Sequence, residues 1–332
     1  MEDLYAKPWI RTSADFVNMP APVQDIIRKK FHVVMTPEFE KEPEKFRTKI
    51  QGILTMGRQD FDISETSLAA WPNVKVVATS SVGTDHLNVK MLRSLGIKVG
   101  HTPDVLSDAT ANLTFGLLIA TARRFQECTM AMHQWGNYDP SHVINCRVAG
   151  TEVTRATLGI VGMGRIGMEV ARRARGFKMR VLYHNRTRRS EEDEREVGGA
   201  TYCSSLRELL PQVDFLVVMV PFNRDTEHLI GREELRSMKP SAIIINTSRG
   251  KVIDHAALIE ALQSKIIAGA GLDVTDPEPL PPDSPLLAMP NVFLTPHVGS
   301  STVQTLCAMA RLTAENLAAG IEGRQLPAEV PL

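Results

Sequence analysis

Two hydrophobic rhythms alternate along the chain: short, β-branched, continuously apolar runs, each followed by a turn and a stretch with helical spacing. In the first part, residues 7–11, 32–35, 52–56 and 74–79 read as strands, and 22–30, 40–49 and 88–95 as helices. A second series has strands over 157–161, 180–183, 215–220, 242–246, 268–273 and 292–295, with helices over 165–175, 205–210 and 255–263. Continuously apolar strands separated by helices predict parallel sheets covered on both faces. Two such series predict two doubly wound parallel-sheet α/β domains. Long helical stretches at 107–124 and 300–320 flank the second series. The chain is therefore expected to leave the first domain (residues 1–106 and 299–332) and return to it after an inserted second domain (residues 107–298).

The length of 332 residues agrees with two domains at about 150 residues each. Lys+Arg and Asp+Glu both number 38, so no net charge draws the chain to nucleic acid or an anionic membrane. No apolar run reaches the roughly 20 residues of a membrane span. The longest strictly apolar run, Phe215–Val220, is ended by Pro221. The N-terminus lacks the apolar centre of a signal peptide. Cys128, Cys146, Cys203 and Cys307 lack metal-type spacing, and His142 with Cys146 has no partner pair. A reduced, cytoplasmic protein without a metal is the expectation.

Gly162-x-Gly164-x-x-Gly167 follows a buried strand and opens a helix, the context in which this motif binds a dinucleotide. The glycines permit a tight turn, close backbone approach to a pyrophosphate and close helix–strand packing. The helix N-terminus around Arg165 and Ile166 then favours the phosphate charge. An NAD enzyme usually places an acid at the end of the next strand to bind the ribose 2′-hydroxyl. Asn185 holds that place here, followed by Arg186, Thr187, Arg188 and Arg189. An amide does not repel a 2′-phosphate, and Arg and Thr donors bind one, so NADP is expected over NAD. Arg188 and Arg189 read equally well as partners of the acidic run 191–196, which ranks Arg186 first.

Three polar side chains end three successive late strands: Arg249, Glu278 and His297. Ligands of open parallel sheets sit at the carboxyl ends of the strands. The combination fits reduction of a 2-oxo acid. Arg249 holds the carboxylate and polarises the carbonyl with a rigid donor fork. His297 gives the proton as general acid. Glu278 orients the imidazole and favours its charged form.

Four segments resemble the D-isomer-specific 2-hydroxyacid dehydrogenases: residues 162–167, 246–254, 271–280 and 294–301, in the family's order. The stretches 82–87 and 102–108 are similar to its glyoxylate/hydroxypyruvate reductase branch. The resemblance implies a Rossmann-type cofactor domain inserted into a flavodoxin-like substrate domain. Arg249, Glu278 and His297 fall on the family's catalytic positions. It further implies that backbone N–H groups at Val82 and Gly83 bind the substrate carboxylate. Asp273 and Gly299 would lie near the nicotinamide, while Pro221, Thr247 and the loop through Thr226 line the dinucleotide groove. It implies a homodimer in which an aromatic arm, Trp135 to Tyr138, reaches the partner's substrate site. Asn112 and Asn223 depart from the family pattern, and Tyr138 stands where the branch often carries Trp. Two alternatives use the same scaffold. Dinucleotide-sensing corepressors of the C-terminal-binding-protein type carry long polar tails, whereas this sequence stops about a dozen residues after Gly320. Phosphoglycerate and formate dehydrogenases favour an acid where Asn185 sits, and the former usually adds a regulatory domain.

Overall fold

The first unit, Met1–Leu106 with Ser300–Leu332, is built on five parallel strands. They are β1 (Trp9–Thr12), β2 (His32–Met35), β3 (Ile50–Thr55), β4 (Val76–Thr79) and β5 (Lys98–Gly100), in the order β2-β1-β3-β4-β5. This is the flavodoxin-like order, with its reversal point between β1 and β3. The structure is a computed structural model that describes residues 7–57, 61–135 (without the side chains of Gln134 and Trp135) and 149–331. One sheet face packs Ile10, Val76 and Ala78 against Ile27 of the helix Ala21–Lys30 and Leu317 of the helix Val303–Ile321. The other buries Val34, Ile53 and Val77 with Trp71 and Leu92.

The second unit, Ser107–Gly299, has seven parallel strands. They are β6 (Thr157–Val161), β7 (Arg180–His184), β8 (Thr201–Tyr202), β9 (Phe215–Val218), β10 (Ile243–Asn246), β11 (Gly269–Leu272) and β12 (Val292–Leu294). The order β12-β11-β10-β9-β6-β7-β8 is the Rossmann arrangement with one added edge strand. Its reversal point falls between β6 and β9, and the glycine loop leaves β6 there. The sheet core lies at its centre: β9 and β10 are buried at every position, on both faces that helices cover. The helix Ser107–Ala122 is buried on more than one side and packs within this unit, against β10, β11 and the helix Arg165–Gly176. A helix apolar all round belongs inside a domain rather than on its surface.

Two doubly wound parallel sheets are what the apolar runs predicted. The differences are local. The helix expected over 40–49 is two short ones, Thr36–Lys41 and Pro43–Phe46, because Pro43 lacks the N–H that would continue the first. Strands β5 and β8 are three and two residues long, too short to show a period. Among the described residues no helix is long and apolar enough to cross a membrane.

Candidate active site

The glycine loop is shaped by contacts that exclude side chains. A Cβ on Gly167 would come 2.4 Å from the Gly162 carbonyl oxygen, and one on Gly162, where φ is +102°, would come 2.7 Å from the Met219 backbone. At Gly164, which caps the helix Arg165–Gly176, a Cβ would meet nothing within 4 Å. The loop is thus packed tight behind and open in front, where the first N–H groups of the helix have no intrahelical acceptor. That cradle suits a pyrophosphate, so a dinucleotide fits the residues present. Arg165 is exposed and Ile166 half-buried at the same helix end.

Beyond β7, Asn185 faces the loop itself: its Oδ1 accepts from the Met163 N–H at 2.6 Å. An amide at this position braces the turn, a role invisible in the sequence. Arg188 chelates Glu194 through Nε and Nη2, and Glu194 also accepts from the Tyr183 hydroxyl. The Arg188 hydrogen bond is the main cause that holds the Glu194 carboxyl down at about 2, against the opposing push of burial. Burial, with the Glu194 hydrogen bond, pushes the Tyr183 phenol up to about 12. Arg189 pairs with Asp193 at 3.1 Å. Arg186 and Thr187 are exposed, and Arg186 has no ion pair among the described residues. The loop after β9 is closed by Thr226, whose hydroxyl donates to the Pro221 carbonyl at 2.7 Å, while Asn223 Oδ1 accepts from the Asp225 and Thr226 N–H groups. Thr247, after β10, is buried with its hydroxyl 2.8 Å from that of Thr114.

His297, Glu278 and Arg249 converge at the carboxyl ends of β10, β11 and β12. His297 Nδ1 lies 2.6 Å from Glu278 Oε1, and both side chains are exposed, at 45% and 42%. Burial pushes the Glu278 carboxyl up, but hydrogen bonding and charge from His297, the Thr275 N–H and the Arg249 charge outweigh it, leaving it below its ordinary value. Arg249 is half-buried, with Nη1 donating to the Ser248 carbonyl at 2.9 Å.

The loops carrying these groups are braced from below. Asn246 is fully buried. Its Oδ1 accepts from the Ser248 N–H and hydroxyl, and its Nδ2 donates to the Arg249 carbonyl at 2.9 Å. Gly250 admits the neighbouring turn, since a Cβ there would sit 1.9 Å from the Thr275 carbonyl oxygen. Asp273 is 2% exposed. Its carboxylate accepts from the Thr295 hydroxyl at 2.6 Å and from the Val298 and Gly299 N–H groups at 2.8 Å each. Its carbonyl accepts from the His297 N–H at 2.8 Å. Asp273 thereby holds His297 in a left-handed conformation, φ 55°, that few non-glycine residues adopt. The family resemblance implies that Asp273 and Gly299 lie near the nicotinamide. The structure adds a scaffolding role for Asp273, with three of the carboxylate's roughly four acceptor positions in use.

In the first unit, Val82 and Gly83 lie in the loop after β4. Neither N–H has an acceptor among the described residues. Tyr138 lies outside the described residues, as do His142 and Cys146. Asn112 accepts from Arg173 Nε at 2.7 Å, and Arg173 also pairs with Asp108 and Glu169, so that face of the helix is ion-paired.

A dinucleotide cradle at the reversal point of a seven-stranded parallel sheet, with an imidazole–carboxylate pair and an arginine at the same sheet edge, defines an oxidoreductase domain. Residues 115–299 match the family of the D-isomer specific 2-hydroxyacid dehydrogenase, NAD binding domain. The chain is 41% identical over 310 residues to a glyoxylate reductase of Thermococcus gammatolerans, covering 91% of this chain and 90% of that one. It is 39% identical over 313 residues to a glyoxylate/hydroxypyruvate reductase B of Serratia proteamaculans, covering 93% and 94%. The crystal structure of an NADPH-dependent glyoxylate/hydroxypyruvate reductase from Sinorhizobium meliloti, in complex with NADP and malonate, superposes with a TM-score of 0.83 at 31% identity over 98% of this chain and 97% of that one. The chain belongs to the D-isomer specific 2-hydroxyacid dehydrogenase family, and its second unit is that family's NAD(P)-binding domain.

Proposed function

We propose that the protein reduces small 2-oxo acids with NADPH, converting glyoxylate to glycolate and hydroxypyruvate to D-glycerate. The observation that carries this reading is the 2.6 Å contact between His297 and Glu278, with the Arg249 charge acting on the same carboxylate. A bound reduced nicotinamide supplies the hydride. His297 donates a proton to the carbonyl oxygen as the hydride reaches its carbon, so the alcohol leaves with both hydrogens. Because Nδ1 faces Glu278, Nε2 is the nitrogen that faces substrate. Glu278 keeps the ring oriented by accepting from Nδ1. Arg249 presents its fork to the carboxylate and carbonyl of the substrate. Val82 and Gly83 contribute backbone donors for the carboxylate. Steady-state assay against glyoxylate, hydroxypyruvate and pyruvate with each dinucleotide tests the reading. No turnover of any 2-oxo acid overturns it.

The preference for NADPH rests on Arg186, exposed and without an ion pair among the described residues, while Arg188 and Arg189 are held by Glu194 and Asp193. Arg186→Ala is expected to raise the KM for NADPH about tenfold and leave that for NADH within about twofold, because it removes a charge-assisted contact to the 2′-phosphate alone. Equal use of both dinucleotides by the unaltered protein would end this assignment. A cytoplasmic homodimer, in which the arm from Trp135 to Tyr138 approaches the partner's substrate site, completes the proposal. The helix Phe125–Trp135 carries Phe125, Met130 and Met132 at 49%, 42% and 57% exposure, apolar surface that a partner would cover. Sedimentation equilibrium is expected to return twice the chain mass at micromolar concentration, and a monomer there refutes the dimer.

A further inference from the structure

We infer that His101 is a positioning residue for substrate binding: its imidazole, with the following backbone N–H, clamps the carbonyls behind the two N–H groups that face the substrate carboxylate. The inference rests on the reading of Val82 and Gly83 as carboxylate donors and deepens it.

The loop after β4 is held almost entirely through its carbonyl oxygens. The Ser81 carbonyl accepts from the Thr102 N–H at 2.9 Å, and the Val82 carbonyl from His101 Nδ1 at 3.1 Å. The Gly83 carbonyl accepts from the Ser81 hydroxyl at 2.7 Å. These peptide bonds are trans, so each N–H points away from the carbonyl it shares a plane with. A donor on the Ser81 carbonyl therefore aims the Val82 N–H away from residues 101–102, and a donor on the Val82 carbonyl does the same for the Gly83 N–H. Those are the two N–H groups without an acceptor among the described residues. Bonding at a carbonyl also polarises the N–H across the same peptide, which strengthens it as a donor to an anion.

His101 is itself anchored. Its N–H donates to the Ala328 carbonyl at 3.0 Å, and its carbonyl accepts from Asn316 Nδ2 at 3.0 Å. Asn316 is fully buried on the helix Val303–Ile321, and its Oδ1 accepts from the Ala328 N–H at 2.9 Å. The backbone of residue 101 is thus fixed from both sides by the returning C-terminal segment. Its side chain is left to reach Val82, and since a carbonyl only accepts, the proton sits on Nδ1. On the far side of the loop, the Ser81 hydroxyl is 2.8 Å from Thr79 Oγ1, which lies 3.2 Å from His86 Nε2. The third carbonyl is therefore set by a separate relay and not by His101.

The test compares His101→Phe, which keeps a ring and removes the donor, with His101→Asn, whose Nδ2 stands near the place of the imidazole Nδ1. Both are assayed for KM and kcat with glyoxylate, for the Ki of oxamate, for the Kd of NADPH and for Tm. His101→Phe is expected to raise the glyoxylate KM and the oxamate Ki together, by roughly fivefold to tenfold, the range of one hydrogen bond. kcat should stay within about twofold, because carboxylate binding is common to ground and transition states. NADPH affinity should not move, and His101→Asn should recover most of the loss. Unchanged KM and Ki in His101→Phe overturn the role of His101, as does an Asn variant as impaired as the Phe variant at equal Tm. An unaltered protein that reduces no 2-oxo acid brings down the reading beneath it as well.

Discussion

His297→Ala is expected to lower kcat/KM for glyoxylate by roughly a hundredfold to ten-thousandfold, the worth of a positioned general acid, with NADPH affinity unchanged. Dinucleotide affinity is spared because the glycine cradle and the Arg186 region are built on β6 and β7, whereas His297 follows β12. Glu278→Gln is expected to act through the same ring. The Glu278 carboxyl lies below its ordinary value because His297, among others, favours its charged form over the opposing effect of burial. Glu278→Gln weakens the charge-assisted contact that holds the ring at Nδ1, so kcat is expected to fall by roughly tenfold to a hundredfold while the glyoxylate KM stays within about twofold. A His297→Ala protein with wild-type activity, or a Glu278→Gln protein with wild-type kcat, rejects these roles.

Arg249→Lys is expected to lose about a hundredfold to a thousandfold in kcat/KM, divided between a raised KM and a reduced kcat. The charge survives the substitution, so the loss measures geometry. A planar fork matches a carboxylate and its neighbouring carbonyl, whereas an ammonium on a flexible stem is a point charge. Arg249 is also held by its own turn, with Asn246 Nδ2 on its carbonyl and its Nη1 on Ser248. Lysine cannot reproduce the second of these contacts while reaching the substrate. Retention of more than about a tenth of the activity would show that charge alone suffices.

What could be read from the amino-acid sequence divides along physical lines. Buried parallel strands are continuous apolar runs, so the first sheet was legible at β4 and the second at β6, β9 and β10, where tertiary and local preferences agree. Edge strands β5 and β8 were not, because two or three residues carry no period. The location of Arg249, Glu278 and His297 at strand ends followed from the topology rule for open sheets. The bracing did not. Asp273, Asn185 and His101 act by donating to or accepting from groups that are distant in sequence, and Asn246 by bracing its own turn, and no spacing announces such contacts. A buried polar residue at the end of an apolar strand, as at Asn246 and Asp273, is the one signal available, since a group that costs this much to bury must have partners.

The close approach at Gly250 has a consequence for anyone wishing to alter what this protein acts upon. The turn bearing Arg249 and the turn running from Thr275 to Glu278 touch main chain to main chain, with no side chain between them to absorb a change. Neither turn is a separate module. Transplanting one from a relative with a different preference carries over a shape that its neighbour must already match, so the two segments form a single exchangeable cassette. Libraries that vary residues 247–252 and 274–280 together should return active proteins where libraries confined to either segment return mostly misassembled ones.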